Sequence, residues 1–208
     1  DGNILATLCT NQDITLWNTI NYKKIKVLND HREGEVSLDF NEDGKFLVSG
    51  SWDNSIKIWD TNTGKVIRRL TGHSMAVKTV AFHPKGNMVA SGSWDNQIRI
   101  WYAPTGITLI ILNGHKQVVR TLDYSQDGKY LASGSDDTNV KIWDLSTGNV
   151  LKTLKDHIYP VEVLKFSPNG KHLASGSYGN NIIIWNIKTG KIDKLFKGHT
   201  DGIYSLAY

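Results

Sequence analysis

Cysteine is almost absent from this 208-residue chain, in which Cys9 is the single example. One cysteine cannot form an internal disulfide, and the sequence also has no Asn-x-Ser/Thr acceptor for glycosylation. Both absences are typical of proteins from a reducing compartment. We therefore predict an intracellular protein of the cytoplasm, with the nucleus as the alternative.

Long apolar runs and a strong charge excess are also missing. No stretch approaches the roughly 18 apolar residues that a membrane span requires, so we predict no membrane association. The 24 Lys and Arg exceed the 20 Asp and Glu by only four, and they are spread along the chain. The densest clusters, Lys23 to Lys26 and Arg68-Arg69, are typical of a solvated outer strand, so nucleic-acid binding remains a disfavoured alternative.

Tryptophan and histidine recur with a fixed period of 42 residues. The series are Trp17, Trp59, Trp101, Trp143 and Trp185, and His31, His73, His115, His157 and His199. Self-similarity at this period indicates an array of four-stranded units, each of which needs its neighbours to bury an apolar face. The units are predicted at about 31–72, 73–114, 115–156 and 157–198, with partial units at 1–30 and 199–208, in one domain over 1–208.

The unit 73–114 predicts four short antiparallel strands. Alternating apolar residues indicate strands over 77–82, 88–93, a third that ends at Trp101, and 107–112, separated by Gly-containing turns. The small residues at 90–93 are expected to leave room for Trp101. The same pattern predicts a first strand at the carboxyl end, over Ile203 to Tyr208. The fold class is therefore all-β.

The segment Gly72-His73, followed by Asp95 and then Trp101, resembles the WD-repeat β-propeller family. GSWDNSIKIWD at 50–60 and GSDDTNVKIWD at 134–144 are also similar to its signature, and the resemblance covers essentially the whole chain. It implies a propeller of four-stranded blades that serves as a protein-interaction scaffold. The five repeats predict either a closed five-blade ring or, as the abrupt ends favour, part of a seven-blade propeller, which would expose strand surfaces and self-associate.

The resemblance also implies a hydrogen-bonded tetrad of His, Ser, Asp and Trp in each blade. The predicted tetrads are His31, Ser49, Asp53 and Trp59; His73, Ser91, Asp95 and Trp101; and His115, Ser133, Asp137 and Trp143. Two units depart from the pattern, because Gly179 and Asn11 stand at the Asp position, and we expect their turns to be looser. Glu35 also departs, since other units have Val or Ile there.

The repetition of Ser, His and Asp favours a structural role over a catalytic one. No G-x-S-x-G motif is present, and we predict that the chain is not an enzyme, an enzyme on a propeller scaffold being the third and weakest hypothesis. The periodic histidines lie one per unit, and His83 and His172 have no second ligand at metal spacing. We expect those two on the surface and predict no metal and no cofactor.

Function is expected at positions that differ between units but share one face. In the resembled family that face carries the residue before the turn Asp and the start of the first strand. The corresponding residues are Thr10, Trp52, Trp94, Asp136 and Tyr178, and Val36, Lys78, Arg120, Glu162 and Tyr204. Trp and Arg are enriched at binding hot spots, so we predict that this face carries a patch that binds a peptide or protein segment. The bound segment is expected to be acidic where it meets Lys78 and Arg120. The alternative is that the indoles of Trp52 and Trp94 both lie flat on the neighbouring blade.

Overall fold

The computed structural model describes residues 2–8 and 13–208, and of residues 35 and 36 only the backbone. The described residues form nineteen strands in five antiparallel sheets and contain no helix. Sheet 1 has β1 (Ile4–Leu8), β2 (Ile14–Asn18) and β3 (Lys24–Leu28). Sheet 2 has β4 (Glu35–Phe40), β5 (Phe46–Ser51), β6 (Ile56–Asp60) and β7 (Val66–Leu70).

The next three sheets repeat the meander of sheet 2. Sheet 3 has β8 (Val77–Phe82), β9 (Met88–Ser93), β10 (Ile98–Tyr102) and β11 (Ile107–Leu112). Sheet 4 has β12 (Val119–Tyr124), β13 (Tyr130–Ser135), β14 (Val140–Asp144) and β15 (Asn149–Leu154). Sheet 5 has β16 (Val161–Phe166), β17 (His172–Ser177), β18 (Ile182–Asn186) and β19 (Ile192–Phe196). The all-β blades predicted from sequence are confirmed, and β10 extends one residue beyond the predicted end at Trp101.

The hydrophobic core lies between consecutive sheets. Each core cluster combines apolar residues of the central strands in one sheet with residues of the next, as Ile100 of sheet 3 packs with Leu122 and Trp143 of sheet 4. The remaining sheet pairs form equivalent clusters. The first strands β4, β8, β12 and β16 lie side by side along the inner edge of the stack. A single sheet therefore has no core of its own, as the repeat length indicates.

Small residues in the second strands allow this close stacking. A Cβ added to Gly92 would lie 2.6 Å from Val119 of the next sheet and 2.8 Å from Thr79. At Gly92 the space is thus filled by Val119 and Thr79, whereas the indole of Trp101 reaches this segment at Ser91. The six-membered ring of Trp101 packs near Gly72, where an added Cβ would approach it to 3.3 Å.

The strand predicted over Ile203 to Tyr208 is wrong. Residues 203–208 form no strand, and β1 pairs only with β2, so sheet 1 has three strands among the described residues. Ile203 nevertheless docks on sheet 5, because its backbone N–H donates to the Ser177 carbonyl at 2.9 Å and its side chain packs against Gly176. The segment contacts its neighbour, but among the residues that the structure describes it has no strand partner to complete a ladder.

Candidate partner-binding face

Each complete tetrad joins the segment before a first strand to the turn between the second and third strands. In sheet 3, His73 Nδ1 lies 2.7 Å from the Asp95 carboxylate and Nε2 lies 2.8 Å from the Ser91 hydroxyl. Trp101 Nε1–H donates to the same hydroxyl at 2.8 Å. The second serine of the Ser91-Gly92-Ser93 segment lies outside the tetrad, and its hydroxyl donates to the Met75 carbonyl at 3.1 Å.

The other two predicted sets have the same geometry. His31 contacts Asp53 at 3.0 Å and Ser49 at 2.7 Å, and Trp59 donates to Ser49 at 2.8 Å. His115 contacts Asp137 at 2.9 Å and Ser133 at 2.7 Å, and Trp143 donates to Ser133 at 2.8 Å. All three serines are fully buried, so their hydroxyls cannot reach a substrate. The arrangement stabilises a turn and presents no nucleophile.

The turn carboxylates are held in the ionised form. Burial alone would raise the pKa of Asp53, but hydrogen bonds from His31, Ser55 and the Arg32 N–H hold that pKa well below its usual range. The pKa values of the two equivalent carboxyls, Asp95 and Asp137, are lowered by the same kind of histidine and backbone N–H hydrogen bonds. Each turn is thus fixed by charge-assisted hydrogen bonds.

Sheet 5 retains three members of the tetrad without the aspartate. His157 Nε2 and Trp185 Nε1 both lie 2.7 Å from the Ser175 hydroxyl. In the described residues no carboxylate reaches His157, and burial lowers its pKa to about 4 although nearby Asp156 acts to raise it. The Tyr159 ring fills the place of the missing side chain, because a Cβ on Gly179 would lie 2.7 Å from it.

Sheet 1 keeps the bond between the indole and the second strand. Trp17 Nε1–H donates to the Thr7 hydroxyl at 2.8 Å, so Thr7 takes the place of the serine. Asn11, at the aspartate position, lies outside the described residues.

Three aromatic side chains of the predicted patch are exposed at equivalent turns. Trp52, Trp94 and Tyr178 are 51%, 45% and 41% exposed. Their backbone N–H groups donate to the carbonyls of Gly34, Ala76 and Pro160 at 2.9 to 3.1 Å, which ties each turn to the chain before the first strand. About half of Trp52 and of Trp94 is therefore open to solvent.

The charged residues of the patch pair with one another. Arg120 forms a hydrogen-bonded ion pair with Asp136 and lies 2.8 Å from a Glu162 carboxylate oxygen. Burial raises the pKa of Glu162, while Arg120 and Lys78 act to lower it, so Lys78 also lies within electrostatic range. Both carboxylates thus pair with Arg120, whereas Lys78 forms no ion pair within the described residues. The free positive charge that suggested an acidic partner is therefore absent at Arg120.

Tyr178 links these charges to the carboxyl-terminal segment. The Arg120 guanidinium lies 5.5 Å from the centre of the Tyr178 ring, and the Tyr204 ring meets Tyr178 edge-on at 5.6 Å. The structure thus brings together Arg120, Asp136, Glu162, Tyr178 and Tyr204, with Lys78 nearby. Trp52 and Trp94 make no ring contact with this group in the described residues, and Thr10 and the Val36 side chain lie outside them.

Sequence reasoning misplaced one buried histidine, His83, and missed two partly buried carboxylates, Asp39 and Asp123. His83 is only 6% exposed and not on the surface, because its two ring nitrogens bond the Gly128 carbonyl and the Lys85 N–H. Asp39 and Asp123 are partly buried at equivalent positions of two first strands. A charge recurring at one position of an inner strand was the available signal.

No group of His, Cys, Asp or Glu within the described ranges could hold a metal ion. Across residues 2–8 and 13–208 there is likewise no helix long and apolar enough to span a membrane.

A comparison with known protein families matches one family model to the chain, and that model describes a repeat. The model of the WD domain, G-beta repeat, matches four times, at residues 22–60, 64–102, 106–144 and 148–186, which is more than half of the chain. A comparison with curated proteins found no match. Proteins of this repeat family are typically non-catalytic scaffolds for protein–protein interaction. The four matches and the five stacked antiparallel sheets together show that the chain belongs to the WD-repeat family.

Proposed function

We propose that this chain is a non-catalytic scaffold that binds a peptide or protein segment on the face that carries Trp52, Trp94 and Tyr178. The supporting observation is that the same turn exposes a large aromatic ring in sheets 2, 3 and 5. Such rings are over-represented among residues that dominate binding energy. A partner that crosses these turns would bury them together.

The turns that carry the two indoles are already rigid. Asp53 and Asp95 each accept hydrogen bonds from a histidine and from backbone N–H groups, directly after Trp52 and Trp94. A ring on a fixed turn loses little conformational entropy when a partner covers it. The tetrads therefore support binding indirectly, by holding the contact residues in place.

Charge pairing narrows the chemistry of the partner. Because Arg120 is already paired with Asp136 and Glu162, the acidic partner predicted from sequence depends on Lys78 alone. A partner that offers apolar or aromatic side chains to Trp52 and Trp94 needs no charge to be displaced. We propose a segment of that kind, with any acidic residue placed near Lys78.

A peptide array tests this face. Peptides selected on the unmodified protein should bind a Trp52→Ala/Trp94→Ala variant at least about tenfold more weakly, because each truncated hot-spot aromatic costs about 2 kcal/mol or more. The control variant, Ile107→Ala/Leu109→Ala, removes exposed apolar area from outer strand β11. Equal binding by all three proteins, with unchanged melting temperatures, would exclude the aromatic patch.

The dependence of affinity on salt concentration distinguishes nucleic-acid binding from binding through the aromatic rings. Contacts with phosphates predict an affinity that falls steeply as the salt concentration rises. Binding through the aromatic rings predicts an almost constant affinity over the same range.

A further inference from the structure

A cavity of about 460 Å³ opens at the opposite ends of the inner strands from the aromatic patch. Lys78 and Arg120 lie at the starts of β8 and β12, whereas the cavity is lined by residues at the ends of β4, β8 and β12. One repeated position contributes four of its residues, at intervals of 42. They are Asp39, Ala81, Asp123 and Lys165.

The two carboxylates are anchored in the same way. One oxygen of Asp39 accepts from the Phe82 N–H of the next sheet at 2.7 Å. One oxygen of Asp123 accepts from the Phe166 N–H of its next sheet at 2.8 Å. The repeat thus builds one carboxylate anchor twice.

Of the two carboxylates, Asp123 pairs with a cation and Asp39 does not, within the described residues. Lys165 Nζ donates to the second oxygen of Asp123 at 2.5 Å. The residue that corresponds to Lys165 one repeat after Asp39 is Ala81, whose methyl group leaves that space open. In the part of the chain that the structure describes, no Lys, Arg or His pairs with Asp39. Asp39 therefore has the anchor of Asp123 without its ammonium group.

Burial makes the unpaired carboxylate costly. Removal from water raises the pKa of Asp39 to about 6, against the lowering effects of the Phe82 N–H and of Lys165. The group is still ionised at pH 7, in a site with few compensating donors. A buried charge of this kind is stabilised most by a cation that reaches it.

Tyr124 is a second polar residue of this cavity whose side chain lacks a partner among the described residues. Its side chain is only 7% exposed, and its hydroxyl has no hydrogen-bond partner within the described residues. The residue lines the same cavity, and burial together with the charge of Asp39 raises its pKa. Buried hydroxyls are almost always bonded in native structures. A donor placed between Asp39 and Tyr124 would satisfy both.

We propose that this cavity binds a primary ammonium group, with Asp39 as its counter-ion and the Tyr124 hydroxyl as a second acceptor. A compact ammonium with three donors matches this set of acceptors, and Lys165 on Asp123 is the intramolecular example. The group comes from a lysine side chain of a partner or from a small alkylamine. This site is distinct from the aromatic patch, so either can fail alone.

Titration with n-butylammonium chloride, followed by ¹H–¹⁵N NMR, tests the proposal. The Phe82 amide, which donates to Asp39, should shift and saturate, while the Phe166 amide should not move because Lys165 already occupies Asp123. n-Butanol is the matched uncharged probe and should shift neither. Asp39→Asn should weaken butylammonium binding about tenfold or more, since one charge-assisted hydrogen bond contributes about 1.5 to 3 kcal/mol. An immobile Phe82 amide in the unmodified protein would overturn the site.

Two reciprocal substitutions sharpen the test. Ala81→Lys supplies the ammonium within the chain and should abolish butylammonium binding at Phe82. Lys165→Ala frees Asp123 and should create a second response, at Phe166. Because the Lys165 side chain is about half exposed, its truncation leaves the core intact should Ala81→Lys fail to fold. Absence of a Phe166 response in Lys165→Ala would contradict the anchor model.

A competition experiment separates the two sources of the ammonium group. Spermidine and a lysine peptide with blocked termini are each added to the butylammonium complex. Displacement by spermidine at lower concentration assigns the site to small polyamines. Displacement by the peptide at lower concentration assigns it to a lysine of a protein partner. Failure of both to displace butylammonium would overturn the proposal.

Discussion

Sheets 4 and 5 are built from the same pattern, but the aspartate position of the tetrad holds Asp137 in the first and Gly179 in the second. The bond from the indole to the tetrad serine is nevertheless the same in both sheets. Trp143 donates to Ser133 at 2.8 Å, and Trp185 donates to Ser175 at 2.7 Å. The His and Trp rings are also equally placed, with centroids 6.1 and 6.3 Å apart. The aspartate is therefore not needed to orient the indole.

What the aspartate contributes is the connection between two backbone segments. Asp137 accepts from the Lys116 N–H at 2.9 Å and from the Asn139 N–H at 3.0 Å. Sheet 5 lacks both bonds, and its turn is covered by the Tyr159 ring. The comparison separates two roles: the serine positions the tryptophan in the core, and the carboxylate secures the turn.

The largest effect is expected from the tryptophans. Trp143→Ala and Trp185→Ala should each lower the free energy of unfolding by about 3 to 5 kcal/mol, because both rings are fully buried between sheets. Denaturant unfolding measures the two losses. If the aspartate helps to place the indole, Trp143→Ala will cost clearly more than Trp185→Ala, and the separation of roles fails.

Asp137→Gly removes from the turn of sheet 4 the carboxylate that the turn of sheet 5 lacks. It should cost up to about 3 kcal/mol, because two backbone N–H groups and a histidine nitrogen lose their acceptor. Amide hydrogen exchange should show the loss locally, at Lys116 and Asn139. Asp144→Asn, in an exposed turn of the same sheet, is the control and should leave both amides unchanged. Unaltered exchange in Asp137→Gly would show that the carboxylate does not secure the turn.

The missing carboxylate also predicts a pH dependence that belongs to sheet 5. Burial lowers the pKa of His157 to about 4, so between pH 6.5 and 4 the unfolded chain binds a proton that the folded chain does not. The stability that neutral His157 supports is complete above pH 6.5 and is lost as the pH falls. Between pH 7 and 5 the loss is about 2 kcal/mol, from a shift of roughly 1.4 kcal/mol per pKa unit.

His157→Gln isolates this effect. Its stability should vary less between pH 7 and 5 than that of the unmodified protein, as measured by urea unfolding at both pH values. Asp39, with its pKa raised to about 6, has the opposite slope, but it is present in both proteins and cancels in the difference. Parallel pH profiles for the two proteins would contradict the proposed titration.

The sequence predicted the fold well because the residues that form it repeat. Trp101 and Ser91 recur every 42 residues, and their spacing indicates strands, turns and a shared core before any contact is known. The features that do not repeat were harder to place. The pairing of Arg120 with Glu162 joins first strands of different sheets, and no spacing within one unit indicates it.

The same limit explains the misplaced residues. His83 is buried because Tyr124 and Gly128 of the next sheet cover it, which its own Pro-Gly turn does not reveal. The strand predicted over Ile203 to Tyr208 has the right alternation but no partner for its ladder within residues 2–8 and 13–208. Local pattern predicts the element, whereas contacts between units decide burial, charge pairing and strand pairing.

The smallest effect is expected from repairing sheet 5. Gly179→Asp alone should gain little, because its Cβ would lie 2.7 Å from the Tyr159 ring and that ring must move. Tyr159→Gln installs the residue that sheet 4 carries at the equivalent position, Gln117, and clears the space. The double variant should then be about 1 kcal/mol more stable than Tyr159→Gln alone, the typical net value of one hydrogen bond. It should also raise the pKa of His157, which ¹H NMR of the ring protons measures, because an adjacent carboxylate favours the imidazolium form. A gain in stability without that pKa change would mean that the new carboxylate bonds the turn but does not reach the histidine. The two roles assigned from sheets 4 and 5 would then be separable within a single tetrad.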